Sequence, residues 1–248
     1  VIPADRSRFF SAWLARDAES RVNGAFGRVL VRGVSTAAKA LAESPLLVVS
    51  NHTSYWDPLV AQLIGVRVLH AEAYALMDAA NLRKLPFFRK VGAFGVDLGD
   101  PHDGARAIRY AVKRLTAPGK LLWVFPQGRE VAAVEDPLVF QGGSAEIARL
   151  AKRARTLPVA IRYVFAGERL PRLYVSLGAP LEHDTSVEAM RVAQTAAVNA
   201  ELGRIHDALL SPSGHEGFHV RSSRGEGPVF RAAQAMLAWL TRPRDLPA

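Results

Sequence analysis

Two uninterrupted apolar runs constrain this chain most. Leu46-Leu47-Val48-Val49 and Leu121-Leu122-Trp123-Val124-Phe125 carry no polar residue at either parity. A strand with one wet face alternates in polarity. A strand that is apolar at every position is buried on both faces, as in a parallel sheet covered by helices on each side. Helix-periodic stretches at 103–116, 143–154 and 186–209 supply such cover, and further strands read at 29–31, 66–76, 93–97, 157–164 and 173–177. Strand alternating with helix predicts an α/β fold with a mostly parallel central sheet flanked by helices. Amphipathic helices are expected at both ends. Near the start, Phe9, Phe10, Trp13, Leu14, Val22 and Phe26 fall roughly on one face; near the end, Val229, Ala233, Met236, Leu237 and Leu240 do the same. The chain then divides into an N-terminal helix (1–28), a body (29–210), and a linker with a C-terminal helix (211–248).

With 248 residues, 49% of them apolar, one sizeable core is expected. The absence of cysteine excludes disulfides, thiolate metal sites and a cysteine nucleophile. A formal charge of +9 favours an anionic partner: lipid headgroups, nucleic acid or a phosphorylated substrate. Nucleic acid is set aside, because the basic residues are dispersed and no zinc-finger, RNP-type or helix-turn-helix signature is present. Basic residues do flank aromatics at 6–28, 83–90 and 229–244, so a membrane lipid surface is the expected partner, with ordinary core packing as the other reading. No apolar run reaches the roughly 18–20 residues of a spanning helix, and the N-terminus lacks the sections of a signal peptide. A cytoplasmic protein held peripherally at the inner face of the cell membrane is the expectation. Asp97, Asp100, His102 and Asp103 sit around Gly99 and Pro101 and read as a turn, so no metal is expected.

In sheets of this kind ligands gather at the carboxyl ends of the strands, and two loops there carry chemistry. The first is Ser50-Asn51-His52-Thr53-Ser54-Tyr55-Trp56-Asp57-Pro58. Folded back at the sheet's edge, it can bring His52 and Asp57 into contact. A carboxylate on one imidazole nitrogen fixes the tautomer, frees the other nitrogen to take a proton from a hydroxyl, and stabilises the imidazolium that results. A plainer reading is also open. Asp57 before Pro58 makes a helix N-cap with proline at the first helical position, and His52 can be a turn residue satisfied by backbone. The second loop is Phe125-Pro126-Gln127-Gly128-Arg129-Glu130. It can offer backbone N–H groups, an amide and a guanidinium to an anionic or hydroxylic ligand, or be a simple turn with a surface ion pair.

Taken together, Asn51-His52-x4-Asp57-Pro58 and Phe125-Pro126-Gln127-Gly128 resemble the glycerolipid acyltransferase family, whose best-known members acylate 1-acylglycerol-3-phosphate. That family shows His-x4-Asp, then Gly-x-x-Phe-Ile-x-Arg, then Phe-Pro-Glu-Gly-Thr-Arg, then Val-Pro-Val. Here Gly92-Ala93-Phe94-Gly95-Val96-Asp97-Leu98 stands in the second place and Leu157-Pro158-Val159 in the fourth, so the resemblance spans roughly residues 28–180. It implies a transferase of lipid metabolism, of the phospholipid-biosynthetic kind, with His52 as general base and Asp57 as its orienting partner. The donor it implies is an acyl-CoA or acyl-carrier-protein thioester acting as co-substrate, with no cofactor or metal. Asn51, Gln127, Gly128 and Arg129 are the implied substrate-binding residues.

The departures bear on the acceptor. The arginine that closes the family's second block, associated with the acceptor's phosphate, is Leu98 here. Gln127 replaces the glutamate of the third block, and Arg129-Glu130 stand where Thr-Arg is usual. Losing a guanidinium removes the bidentate phosphate contact that arginine makes best. The expected acceptor is therefore either lysophosphatidate-like, read by a shifted Arg129, or a neutral lipid or glycolipid alcohol. The alternative function is a non-catalytic lipid-binding module on the same fold.

Overall fold

The structure, a computed structural model, describes residues 1–97, 99–131, 138–182, 186–224 and Met236. Its elements run α1 (Arg8–Ala25), β1 (Arg28–Arg32), α2 (Val34–Glu43), β2 (Leu46–Ser50), α3 (Asp57–Gln62), β3 (Glu72–Asp78), α4 (Ala79–Lys84) and β4 (Ala93–Val96). There follow α5 (Pro101–Arg114), β5 (Lys120–Val124), α6 (Gly143–Leu150), β6 (Arg155–Val164), β7 (Arg172–Leu177), α7 (Val187–Leu210) and β8 (His219–Ser223). The eight strands form one sheet in the order β4-β3-β5-β2-β6-β7-β1-β8. β5, β2 and β6 are mutually parallel neighbours, as are β4, β3 and β5 and the pair β7–β1; only β6–β7 and β1–β8 are antiparallel. The α/β architecture with a mostly parallel sheet is as the apolar runs imply.

Those runs occupy the middle of the sheet, and their alternate side chains feed two cores. Leu46 and Val48 of β2 join Val22 of α1, Ala40 and Leu41 of α2 and Val60 of α3. Leu47 and Val49 join Ala111 of α5, Ile147 and Ala148 of α6 and Val198 of α7. Fully burying such a side chain contributes about 1.5–3 kcal/mol, so a strand apolar at every position stabilises both layers at once. A second consequence is positional. The last β2–β6 pair is Ser50↔Val159, yet β6 continues to Val164. The overhang forms one side of the site.

α1 corrects the expectation that its apolar residues share one face, because some pack inward and others turn outward. Ser7 caps it, its hydroxyl accepting from the Phe10 N–H, and Leu14, Ala15, Ala18 and Val22 pack inward. Phe9 and Trp13 project from the opposite side, 83% and 52% exposed.

Several elements differ from expectation. The strand expected at 66–76 begins only at Glu72, because Leu63–Val68 continues α3 as a π-helical turn that buries Leu63 and Ile64. α2 and α4 were not anticipated. α2 follows Gly33 at φ +78°, where an added Cβ would strike the Leu177 carbonyl. α4 is capped by Asp78, which accepts from Ala80 and Asn81 N–H. The stretch read as a linker from 211 contains β8, an edge strand antiparallel to β1. Its sequence His-Val-Arg-Ser-Ser lacks the apolar alternation of a half-buried strand. Apart from Met236, the helix expected at 229–244 lies outside the described residues, as does Leu98.

Candidate active site

Because β5, β2 and β6 are parallel neighbours, the segments beyond their carboxyl ends meet. Asn51 makes the first connection. Its amide Nδ2 donates to the Ile161 carbonyl at 2.8 Å and its Oδ1 accepts from the Ile161 N–H at 2.9 Å. The side chain thus substitutes for the backbone ladder just where β2 leaves it, and Asn51 is buried. Ser50 is buried beneath it and accepts from the Trp123 indole N–H at 2.9 Å.

His52 is gripped at the backbone by the loop after β5. Its N–H donates to Gln127 Oε1 at 2.6 Å, and its carbonyl accepts from the Val131 N–H at 2.8 Å. The imidazole stacks on Phe125, with centroids 4.4 Å apart and planes 25° apart. The ring Nδ1 lies 2.8 Å from Asp57 Oδ2, and the side chain keeps 20% of its surface exposed. A carboxylate is an acceptor only, so Nδ1 carries the hydrogen of this contact, and in the neutral ring the free lone pair lies on Nε2.

Asp57 is fully buried. Its Oδ2 also accepts from the Thr53 N–H at 2.7 Å and the Ser54 N–H at 2.9 Å, and its Oδ1 accepts from the Tyr163 hydroxyl at 2.6 Å. The expectation that Asp57 serves as an N-cap is corrected by this geometry. Trp56 occupies the cap position, no side chain caps α3, and Asp57 with Pro58 forms its first turn. The carboxylate instead closes a tight turn over residues 53–57 while orienting His52.

Tyr163 comes from the overhang of β6. Its ring stacks on Phe26 at 5.4 Å, and Phe26 in turn meets Trp56 edge-on at 5.2 Å. Burial, and then the neighbouring Asp57 charge, holds the phenol far above its ordinary pKa. It therefore remains a hydrogen-bond donor to the carboxylate throughout the neutral range.

The second loop is shaped by Gly128 at φ +72°, a left-handed turn that suits glycine. A Cβ there would sit 2.8 Å from Gln141 Nε2. Gln141 ties the loop down, its backbone N–H donating to the Pro126 carbonyl at 2.8 Å. Gln127 is nearly buried, whereas Gly128 and Arg129 are exposed.

A cavity of about 820 Å³ opens beside these groups. Its walls include both chain neighbours of His52, Asn51 and Thr53, along with Ser54, Gln127 and Tyr163. Neither the imidazole itself nor Gly128 or Arg129 is a wall of this cavity. Of the residues singled out from sequence, the fold brings Asn51, His52, Asp57 and Gln127 into one bonded cluster. Tyr163 and the Phe125 platform were missed. The one available signal was register, since Leu157-Pro158-Val159 set beside β2 leaves Tyr163 beyond its end. The acidic residues around the start of α5 bond to nearby groups: Asp97 accepts from the Gly99 N–H, Asp100 from the His102 N–H, and Asp103 pairs with Arg106.

The arrangement is a buried carboxylate against an imidazole at the end of a parallel sheet, which in its neutral form is able to take a proton from a weakly acidic group. No curated protein matches the chain. A family model described as Acyltransferase matches residues 28–162, from the first residue of β1 to Arg162 near the end of β6, more than half of the whole. The chain belongs to the acyltransferase family and is an acyl-transferring enzyme.

Proposed function

We propose that the enzyme moves a fatty acyl group from an acyl-CoA or acyl-carrier-protein thioester to the hydroxyl of a lipid, with His52 as general base oriented by Asp57. The observation that carries this reading is the 2.8 Å contact between His52 Nδ1 and the buried Asp57, beside a cavity walled by residues 51 and 53. Nε2 removes the hydroxyl proton as the oxygen attacks the thioester carbonyl carbon. The carbon becomes tetrahedral, its oxygen takes the negative charge, and Asp57 stabilises the imidazolium. Collapse breaks the carbon–sulfur bond, and the departing thiolate recovers the proton from Nε2. The products are an ester and a free thiol, and His52 is neutral again. No cofactor or covalent acyl-enzyme enters the scheme.

Asn51 and Gln127 serve chiefly by fixing the His52 loop, each having its side chain bonded to backbone. Both also line the cavity, where an acceptor would meet them. The acceptor is a lipid alcohol of the lysophosphatidate type or a neutral relative. A membrane surface supplies it. Phe9 and Trp13 of α1 and Leu85 and Phe87 of the adjoining segment are exposed among Arg8, Arg16, Arg83 and Lys84. α1 and that segment are joined by the Ser7 N–H donating to the Lys90 carbonyl at 2.9 Å. Aromatics ringed by cations suit the anionic inner leaflet of a cell membrane. Among the described residues no helix is long and apolar enough to cross a membrane.

The test is to incubate purified protein with radiolabelled acyl-CoA or acyl-carrier protein and a total lipid extract, then identify the labelled product. His52→Ala should lower turnover by about 10²–10⁴-fold. Absence of labelled lipid with either donor, or turnover unchanged in the variant, would overturn the proposal.

A further inference from the structure

The cavity has a second half that the acid–base chemistry does not use. Successive residues of a strand face opposite sides of its sheet. Ile161 and Tyr163 face the layer of α1 and α3, and Ala160 and Val164 face α7. Arg162 shares the parity of Ala160 and Val164, so it leaves β6 on the α7 side. On that side Asn199, Leu202, Gly203 and His206 of α7 line the same cavity. Those residues stand at i, i+3, i+4 and i+7, a single stripe along the helix. Open space lies above Gly203, where a Cβ would touch nothing within 4 Å.

The electrostatics of this half are one-sided. Among the described residues that wall the cavity there is no aspartate or glutamate, and Arg162 carries the only permanent charge. Arg162 is half-buried, and its guanidinium makes no hydrogen bond or ion pair with any described residue. Many other arginines here behave differently: Arg149 pairs with Glu146, Arg172 with Glu168 and Arg191 with Glu188. A half-buried guanidinium left without a carboxylate partner, beside an amide and an imidazole, is a match for a tetrahedral oxyanion with several acceptor atoms.

We infer that Arg162, supported by Asn199 and His206, forms a phosphate-binding subsite that reads a phosphate group on a substrate. The inference rests on the acyl-transfer reading above and refines it by naming the substrate's charge. The phosphate can belong to the acceptor headgroup or to the donor, whose CoA or carrier arm also bears phosphate, and the kinetics separate these sources.

The experiment compares wild type with Arg162→Gln and Arg162→Lys, using lysophosphatidate against monoacylglycerol as acceptors and acyl-CoA against acyl-pantetheine as donors. Arg162→Gln should raise KM by about 10–100-fold for one phosphate-bearing substrate, leaving kcat and the KM of its phosphate-free counterpart within a few-fold. The substrate affected identifies the source, and Arg162→Lys should recover part of the loss. Equal effects on charged and uncharged partners, or none at all, overturn the inference. Calorimetric titration with inorganic phosphate and with lysophosphatidate dispersed in neutral detergent gives a readout independent of turnover. Binding by wild type that is lost in Arg162→Gln supports the subsite even if acyl transfer itself fails, and equal binding by both proteins refutes it even if acyl transfer holds.

Discussion

Replacing Tyr163 by phenylalanine separates a group that tunes the base from one that merely packs beside it. Phenylalanine keeps the ring that stacks on Phe26 and deletes one oxygen. That oxygen is the donor to Asp57 Oδ1, whereas Oδ2 is served by Thr53, Ser54 and His52. A hydrogen bond to a charged group contributes about 1.5–3 kcal/mol. With it gone, the carboxylate turns more strongly to its remaining partners, of which only the imidazole can gain a full charge. One pH unit corresponds to about 1.36 kcal/mol, so passing half of the lost bond to the imidazolium moves the acid limb upward by about half a unit to one unit. A base works only when deprotonated, so the sign is definite: the acid limb of the kcat/KM profile shifts to higher pH and activity on the acid side falls most. The assay is kcat/KM from about pH 5 to 9 at saturating donor, with a denaturant titration in parallel. The plateau at high pH should stay within a few-fold of wild type while stability drops by about 1–3 kcal/mol. Coincident acid limbs, whatever happens to stability, would refute the idea that Tyr163 acts on His52 through Asp57.

Four further outcomes follow from the same geometry. Asp57→Asn places an amide N–H₂ among donors and removes the charge that stabilises the imidazolium, so turnover should fall by about 10²–10⁴-fold in a steady-state assay. Asn51→Ala leaves the buried Ile161 N–H and carbonyl unpaired; at about 1–3 kcal/mol for each group, denaturant unfolding should show a loss of several kcal/mol. Gln127→Glu keeps the acceptor for the His52 N–H and should retain turnover within about tenfold, whereas Gln127→Leu loses that bond and should be the slower of the two. In alkali, the Tyr163 phenol holds its proton past the point where an unfolded tyrosine ionises, near pH 10. The stability it contributes is complete below that pH and declines as pH rises further, so wild type should lose more stability than Tyr163→Phe between about pH 10 and 12.

The parts of the fold that could be read directly were those whose pattern has a single physical solution. A strand such as β5, buried at every position but its first, has no alternative to a covered parallel sheet, and the long helix α7 declares itself by length. The parts that could not be read have local signals with several solutions. Val66 and Val68 are apolar enough for a strand, yet they continue the helical stretch and pack against the layer over the sheet. β8 carries only exposed and half-exposed residues, since an edge strand needs backbone partners rather than a core. Its existence depends on β1 having a free side, a property of the whole sheet rather than of residues 219–223.

The site divides along the same line. His52 and Asp57 lie five positions apart in one loop, so their contact is a local event that chain chemistry can suggest. Tyr163 is 106 residues from Asp57 and reaches it only because β6 pairs with β2 in one register and then outruns it. A slip of one residue would turn Tyr163 toward α7 and send Arg162 toward the carboxylate. Asn51 guards against that slip. Its amide pairs with both the N–H and the carbonyl of Ile161, and only the correct register presents those two groups to it. The residue beside the base therefore acts as a register pin for the strand that completes the site. Asn51→Ala should accordingly disturb the pH profile as well as stability, which a loss of simple packing would not do.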